Sequence, residues 1–109
     1  MTSSDGTDGL QAIADVDRTV HSPARLLILA NLYVAEEADF TFLMRQTGLT
    51  RGNLSSHMSR LEQERYIEVT KEFVGKRPLT LLKLTRLGRQ AFSEYRRSMI
   101  DALGSLPEQ

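Results

Sequence analysis

Apolar side chains in the middle of the chain recur at helical spacing in two short runs that a glycine separates. Phe40, Leu43 and Met44 form an i, i+3, i+4 stripe, which is typical of one helix face. Gly48 follows, and it can end a helix with positive φ at no steric cost because it has no Cβ. The second run repeats its apolar residues at i, i+4 and i+7: Leu54, Met58 and Leu61. The pattern predicts two helices joined by a tight turn.

The second predicted helix, about residues 51–64, has an outer face that is polar and nearly free of acidic side chains. Thr50 precedes it at a good N-cap position. The outward positions are Arg51, Asn53, Ser55, Ser56, Ser59 and Arg60. Such a face suits DNA phosphates, because a carboxylate there would be repelled. We therefore predict a helix-turn-helix whose second helix is the recognition helix.

The residues after this helix have the content and alternation of a β-hairpin. Residues 66–73 and 79–84 predict two strands, and Lys71 is the one charged residue on the apolar side of the first. A basic Gly/Pro break at residues 74–78 separates them. A hairpin directly after a recognition helix is a wing. The predicted fold class is mainly α with a small β-hairpin wing (α+β), a winged helix-turn-helix.

Two further helices are predicted before the helix-turn-helix. Asp8 is a candidate N-cap for the first, whose apolar residues are Leu10, Ile13, Val16 and Val20. Ser22 and Pro23 start the second, because serine caps well and proline suits the first helical position. This second helix, residues 24–35, is apolar almost all round, which predicts burial on more than one side.

Thr85 is the predicted cap of a long last helix, whose apolar stripe has little left to pack against in so short a chain. The stripe either folds back on its own domain or pairs with the first helix and with their symmetry mates across a two-fold axis. We favour the second arrangement, with N- and C-terminal dimerisation helices. The predicted dimer interface contains Leu10, Ile13, Val16, Phe92, Tyr95, Met99 and Leu103.

Charge is unevenly distributed along the chain, although its 14 basic and 14 acidic side chains sum to zero. Residues 1–39 hold two basic and seven acidic side chains, a balance of −5. Residues 40–97 hold twelve basic and five acidic ones, a balance of +7, and the remainder carries −2. A protein that is neutral overall can therefore present a basic face through the predicted helix-turn-helix and wing.

The length of 109 residues predicts one domain, which we place at residues 8–109 after a disordered tail, residues 1–7. A domain of this size buries only about two-thirds of its unfolded surface, so dimerisation would add stability. The longest apolar run, residues 26–30, is too short to span a bilayer, and no membrane partner is expected. The acidic N-terminus lacks the features of a signal peptide, and we expect a cytoplasmic protein.

Several kinds of chemistry are not expected of this sequence. The absence of cysteine excludes disulfides and thiolate metal sites. His21 and His57 have no acidic cluster at ligand spacing, so neither a metal nor another cofactor is predicted. Ser55, Ser56 and His57 are consecutive and point in different directions on a helix, which prevents them from forming a nucleophile–base pair. The chain also lacks a glycine-rich phosphate loop, and we do not expect an enzyme.

Base contacts are predicted from the first half of the recognition helix, because that half normally reaches the base edges in the major groove. This half contains Arg51, Asn53, Ser55, Ser56 and His57. Arg51 could bind guanine O6 and N7, and Asn53 could pair with adenine N6 and N7. For His57 the favoured interpretation is a half-buried packing residue or a backbone contact, and base contact is the alternative.

Phosphate contacts are predicted around the same helix and at the wing. Thr50 and the helix N-terminus offer backbone N–H groups, and Arg60 lies farther along the outer face. Lys76 and Arg77 stand at the hairpin tip, where they could enter the minor groove or grip its backbone. Gly52 either lets the helix approach DNA closely or is merely a tolerated helix glycine. Each cation taken alone could also be a solvated surface charge.

Together these motifs resemble the winged-helix domains of MarR- and ArsR-type bacterial and archaeal transcriptional regulators. The matching segments are HSPARLLILANL, DFTFLMRQTGLTRGNLSSHMSRLEQERYIEV, GKRP and LTRLGRQAF. The resemblance implies a homodimer through the terminal helices. It also implies a cavity for a small-molecule effector between those helices and the winged domain. Candidate lining residues are Tyr33, Phe92, Tyr95 and Met99, but plain dimer core is the favoured interpretation, because a helix interface requires an aromatic and methionine stripe at helical spacing.

The predicted function is a sequence-specific, homodimeric DNA-binding transcriptional regulator, a repressor that reads an inverted repeat in double-stranded DNA. Two alternatives stay open, because function does not follow from fold. One is a winged-helix protein-interaction module, and the other is a non-specific architectural DNA binder. The positive charge of the recognition helix and wing favours DNA over protein as the partner.

Overall fold

The computed structural model describes residues 9–108. Its elements are α1 (Gln11–Ala14), α2 (Pro23–Ala35), β1 (Glu37–Asp39), α3 (Phe40–Thr47), α4 (Arg51–Gln63), β2 (Ile67–Val74), β3 (Arg77–Leu84) and α5 (Arg86–Gly104). This order confirms the predicted fold class, a mainly helical chain with a helix-turn-helix and a wing. The predicted disordered tail, residues 1–7, and the candidate cap Asp8 lie outside the described residues.

The prediction of one continuous helix from Leu10 to Val20 is wrong, because the structure has only the four-residue helix Gln11–Ala14 there. The chain turns instead at Asp17. Its carboxylate Oδ1 accepts hydrogen bonds from the backbone N–H groups of Thr19, at 2.8 Å, and Val20, at 3.1 Å. An aspartate that bonds its own neighbouring backbone competes with helix formation. We call residues 15–22 the N-terminal loop.

The core lies where α2, α3 and α4 meet the sheet. Its fully buried side chains are Val20, Ile28, Leu29, Leu32, Leu43, Leu54, Leu61, Ile67 and Leu82. The helix α2 contacts α3, α4, α5 and the sheet, as its apolar composition predicts. One face of it remains in solvent, however, and Val34 on that face is 85% exposed. The helix is therefore buried on more than one side, as predicted, but not all round.

Side-chain caps begin the helices at the predicted residues. The hydroxyl of Ser22 accepts from the backbone N–H of Arg25 at 3.3 Å, and that of Thr85 accepts from Gly88 at 2.9 Å. Thr50 caps α4 in the same way. Gly48 has φ +72° between α3 and α4, the left-handed conformation that glycine adopts without strain. These local contacts set the tight turn that orients α4.

The wing is a two-stranded antiparallel hairpin extended by a third short strand. The order in the sheet is β1-β3-β2, and the hairpin runs in register from Ile67 opposite Leu84 to Val74 opposite Arg77. The turn is therefore Gly75-Lys76, shorter than the predicted break at residues 74–78, and Arg77 already belongs to β3. The strand β1 was not predicted, since three residues are too few to show an alternation.

The helix α5 is 19 residues long, and the structure is elongated, with principal extents of 65 × 27 × 21 Å. The short helix α1 packs beside α5. We call α1 and residues 95–106 the terminal arm. Its outer side exposes Ile100, Leu103 and Leu106. Among the described residues, no helix combines the length and apolarity that crossing a membrane requires.

Candidate nucleic-acid interface

The first half of α4 presents most of the predicted base-contacting side chains to solvent. Arg51, Asn53, Ser55 and Ser56 are exposed, whereas Leu54 between them is completely buried. No acidic residue occupies the first turn of this helix. The hydroxyl of Thr50 accepts a hydrogen bond from the N–H of Asn53 at 3.1 Å. This side chain therefore caps the helix and lies directly before its exposed first turn.

Gly52 also lies on the exposed surface, in the first turn of α4. A Cβ atom added there would meet no heavy atom within 4 Å. The fold itself therefore does not require glycine at this position. Both predicted roles, a close approach to DNA and a tolerated helix glycine, are compatible with this geometry.

Arg51 does not extend straight from the helix but lies over an aromatic ring. Its guanidinium carbon is 5.5 Å from the centroid of the Phe40 ring at the start of α3. This distance lies within the range of a cation–π interaction. The Arg51 side chain therefore lies against the first residue of α3.

A cavity of about 430 Å³ lies between α3, α4 and the hairpin. We call it the helix–wing cleft. It is lined by residues that include Phe40, Thr41, Arg51, Ser55, Lys71 and Arg77. Lys71 is absent from the predicted contacts. The signal that could have identified it was its position as the one charged residue on the apolar side of β2.

The wing carries its two predicted cations on different parts of the hairpin. Lys76 lies in the two-residue turn, and Arg77 begins β3 and lines the helix–wing cleft. Both side chains are exposed. Gly75 before them has φ +65°, which a tight hairpin turn requires and glycine provides. The turn thus holds Lys76 at the far end of the wing.

His57 differs from the other predicted base contacts, since it is half-buried on the side of α4 that packs against α2. Its Nδ1 lies 3.1 Å from Nη1 of Arg25. Burial and the neighbouring Arg25 charge lower the pKa of His57 below its usual 6.5. A neutral imidazole can accept a hydrogen bond from the guanidinium through Nδ1. This placement favours the packing role over base contact.

Arg25 joins α2 and α4 to the N-terminal loop and was not singled out from the sequence. Its Nε donates to the Thr19 carbonyl at 2.5 Å, and its Nη2 donates to the Arg18 carbonyl at 3.3 Å. Burial is the main cause of its lowered pKa, and the charge of Arg60 adds to it. The feature of the sequence that could have identified Arg25 is that it is the one charged residue in the mostly apolar α2.

Arg60 lies in the second half of α4, where it was predicted to contact phosphate. Its Nη2 donates to the Thr19 hydroxyl at 3.0 Å, although the side chain is exposed. The same loop is attached to the start of β2, because the Tyr66 hydroxyl donates to Asp17. Arg25, His57 and Arg60 therefore connect the recognition helix to the loop that leads into the terminal arm.

The predicted dimer residues lie along the terminal arm and its base. Leu103 is 52% exposed, whereas the others are half-buried: Leu10, Ile13, Val16, Phe92, Tyr95 and Met99. Phe92 packs on Tyr33 of α2 with ring centroids 5.3 Å apart. Tyr95 instead contacts His21, whose Nδ1 lies 2.8 Å from the tyrosine hydroxyl. The candidate effector-pocket residues thus contact different elements, Phe92 contacting α2 and Tyr95 the N-terminal loop.

A cavity of about 340 Å³ does lie between the N-terminal loop and α5. Tyr95 lines it together with Tyr66 and three carboxylates, Asp15, Asp17 and Glu94. Such a lining would repel an anionic ligand. Within residues 9–108, no group of three or more histidine, aspartate or glutamate side chains is arranged to hold a metal ion.

Comparison with known proteins agrees with this architecture. Residues 24–103 match the model of a family described as winged helix DNA-binding domain. An uncharacterized protein of Methanocaldococcus jannaschii is 39% identical over 75 residues, which cover 69% of this chain and 82% of that protein. The family match confirms the winged-helix resemblance that the sequence indicates.

Solved structures with the same fold include transcriptional regulators. A transcriptional regulator homologue from Pyrococcus horikoshii OT3 has a TM-score of 0.83 and 26% identity, covering 92% of this chain and 98% of its own. BpsR of Bordetella bronchiseptica, whose DNA binding is regulated by 6-hydroxynicotinic acid, has a TM-score of 0.68 and 15% identity. That match covers 89% of this chain and 74% of BpsR, and at this identity it shows the fold alone.

Proposed function

Because this chain belongs to the winged helix DNA-binding domain family, we propose that it is a sequence-specific transcriptional repressor. It acts as a homodimer on an inverted repeat in double-stranded DNA. The observation that carries the proposal is the exposed, acid-free first half of α4 beside a basic wing. An α-helix of this kind fits the major groove, and its polar side chains can meet base edges there.

Some side chains of the recognition helix contact DNA bases, and others contact the sugar–phosphate backbone of the DNA. Asn53, Ser55 and Ser56 contact base edges, since they are exposed on the first two turns of α4. Thr50 and the free N–H groups of the helix start meet a phosphate. Arg60 contacts the backbone farther along the helix. Gly52 lets the helix approach the DNA closely.

The wing completes the contact on the adjacent groove. Lys76 at the turn and Arg77 at the start of β3 bind the sugar–phosphate backbone or the minor groove. Neutralising phosphates releases condensed counterions, so these contacts contribute affinity without sequence preference. Base contacts from α4 then supply the discrimination between sequences.

The terminal arm is the proposed dimer interface. An apolar surface such as that of Ile100, Leu103 and Leu106 is stabilised when a second copy removes it from water. A two-fold axis through this interface would relate two recognition helices. Helices about 34 Å apart reach successive major grooves on one side of the duplex. The inverted repeat mirrors that symmetry.

We also propose that a small molecule regulates DNA binding, as 6-hydroxynicotinic acid does for BpsR. The cavity beside Tyr95 is the candidate site, because the N-terminal loop that borders it also contacts α4. Its three carboxylates disfavour an anionic acid and favour a neutral or cationic compound. An effector there would act on α4 through Thr19 and Arg60.

A fluorescence-anisotropy titration tests the function directly. The wild-type chain is titrated with the DNA upstream of its own gene and with a scrambled duplex, at several salt concentrations. Binding to the upstream DNA at least about a thousandfold tighter establishes a specific regulator. Asn53→Ala should then weaken cognate binding by about 1–3 kcal/mol and relax the preference at one position. Gln63→Ala, at the far end of α4, is the matched control.

Other outcomes point to the alternatives. Equal and steeply salt-dependent binding to both duplexes indicates an architectural binder or an operator elsewhere, and selection from a random library separates these. The absence of binding even at low salt would refute the proposal and favour a protein-interaction module.

A further inference from the structure

The helix–wing cleft concentrates positive charge between α3, α4 and the hairpin. Three of its lining residues are basic, Arg51, Lys71 and Arg77, and each comes from a different element. The one carboxylate in the cleft, Asp39, accepts a hydrogen bond from the backbone N–H of Phe42 at 2.8 Å and caps α3. The lining therefore keeps a net positive charge that suits an anion.

The aromatic ring of Phe40 contacts the guanidinium of Arg51 through its face. The ring is partly buried and packs against the hydrophobic core, so its orientation is held by the fold. With the guanidinium carbon 5.5 Å from the ring centroid, the attraction between cation and ring face favours this position of Arg51. An arginine so restrained loses less side-chain freedom when it binds a partner.

The hairpin brings polar groups to the other wall of the cleft. Lys71 on β2 stands opposite Thr80 on β3, and both line the cleft. The register of the hairpin therefore decides that this lysine faces α4 and Arg51. Had the register shifted by one residue, Lys71 would point to the opposite side of the sheet.

We propose that Phe40 is a positioning residue that turns Arg51 into the helix–wing cleft, where Arg51 and Lys71 bind a DNA backbone phosphate. A planar guanidinium can donate two parallel hydrogen bonds to phosphate oxygens. This assignment gives Arg51 a backbone contact in place of the guanine contact that its position in the sequence suggested. It rests on the proposed DNA-binding function and names one phosphate site within it.

Substitution of Arg51 tests the nature of the contact. Arg51→Ala should weaken binding to a selected cognate duplex and to a scrambled duplex by the same factor. It should also reduce the slope of log affinity against log salt by about 0.9, the contribution of one phosphate contact. Gln63→Ala should change neither quantity. A loss confined to the cognate duplex, with relaxed preference at one base, would overturn the assignment.

Substitution of Phe40 in two backgrounds tests the positioning role. Phe40→Leu keeps an apolar side chain but removes the ring face, and it should weaken DNA binding about two- to fivefold when Arg51 is present. In the Arg51→Ala background it should have no further effect, because the residue it positions is gone. Phe40→Tyr retains the ring and should bind as the wild type does.

The outcomes separate this inference from the proposed function. If Phe40→Leu weakens binding equally in both backgrounds, Phe40 acts through core packing and the positioning role is refuted. If the wild type binds DNA but Arg51→Ala leaves the salt slope unchanged, the phosphate assignment alone fails. If the wild type binds neither duplex at low salt, the proposed function fails and this inference fails with it.

Discussion

A Cβ atom added to Gly88 would lie 2.1 Å from the carbonyl oxygen of Tyr66. The first turn of α5 therefore rests directly on the backbone that joins α4 to β2. The N–H of Thr85 donates to the same carbonyl at 3.0 Å, and the Thr85 hydroxyl donates to the Arg65 carbonyl at 2.7 Å. This contact attaches the base of the terminal arm to the end of the recognition helix.

Gly88→Ala is expected to destabilise the fold, because the neighbouring atom is backbone and cannot rotate away. Overpacking of this kind costs about 1–3 kcal/mol. The free energy of unfolding, measured by urea titration, should fall by at least that amount. Gly104→Ala in the same helix is the control, since a Cβ there meets nothing within 4 Å. Equal stability of the two variants would contradict the close contact.

Gly52→Ala should have opposite effects on stability and on DNA binding. Alanine in a helix is more stable than glycine by about 0.5–1 kcal/mol, and the fold leaves open space for the added methyl group. The free energy of unfolding should therefore rise. Affinity for duplex DNA should fall, because the proposed close approach of α4 leaves no room. Unchanged affinity in an anisotropy titration would make Gly52 merely a tolerated helix glycine.

Lys76→Ala at the tip of the wing should lower affinity for every duplex by a similar factor. Its proposed contact is with the backbone, so the slope of log affinity against log salt should become shallower by about 0.9. Arg96→Ala removes an exposed cation from α5 instead and serves as the control. A salt slope that Lys76→Ala leaves intact would remove the wing tip from the contact surface.

His57 should make the folded state less stable as the solution becomes acidic. Burial and the charge of Arg25 lower the pKa of His57 in the folded chain below 6.5. The other charged groups around Arg25 are the guanidinium of Arg60 and the carboxylate of Asp17. The unfolded chain then binds more protons as the pH falls through 6.5. The free energy of unfolding decreases there, and the loss is complete below the folded pKa.

The test compares urea unfolding of the wild type and His57→Gln at pH 7.5 and pH 5.5. Glutamine keeps a hydrogen-bond acceptor for Arg25 without titrating. The wild type should lose more stability between the two values than the variant does. Both proteins share every other side chain, so the difference between their losses reports on position 57 alone. An identical loss in both would show that His57 titrates alike in the folded and unfolded chains.

Leu103→Glu should convert the proposed dimer into a monomer. Leu103 is 52% exposed in the single chain, so the substitution costs the fold little, but it places a charge in the proposed interface. Sedimentation equilibrium should then give a mass near 12.3 kDa. Arg86→Glu, at an exposed position of α5 outside the terminal arm, should leave the dimer intact. A monomeric wild type would refute dimerisation outright.

The helix-turn-helix and the wing could be predicted from the sequence because their signals are local. Gly48 alone supplies the positive φ of the turn, and Thr50 and Thr85 cap the helices that follow them. Alternation over residues 66–84 is a property of the strands themselves and identifies the hairpin without reference to other elements. The exposed base-contact candidates of α4 follow from its helical period in the same way.

Tertiary contacts decided the rest, because a side chain's direction depends on neighbours that are distant in sequence. Asp17 bonds to the backbone of its own loop and to Tyr66, and the chain turns where periodicity predicted a helix. His57 faces inward because α2 brings Arg25 against it, although its place in the sequence also allowed a base contact. By itself the sequence determined the helices α2 to α5 and the two strands of the hairpin, but neither the short helix α1 nor the strand β1. The packing of those segments determined where their polar side chains point, because the partner of a side chain in a distant segment cannot be read from the local sequence pattern.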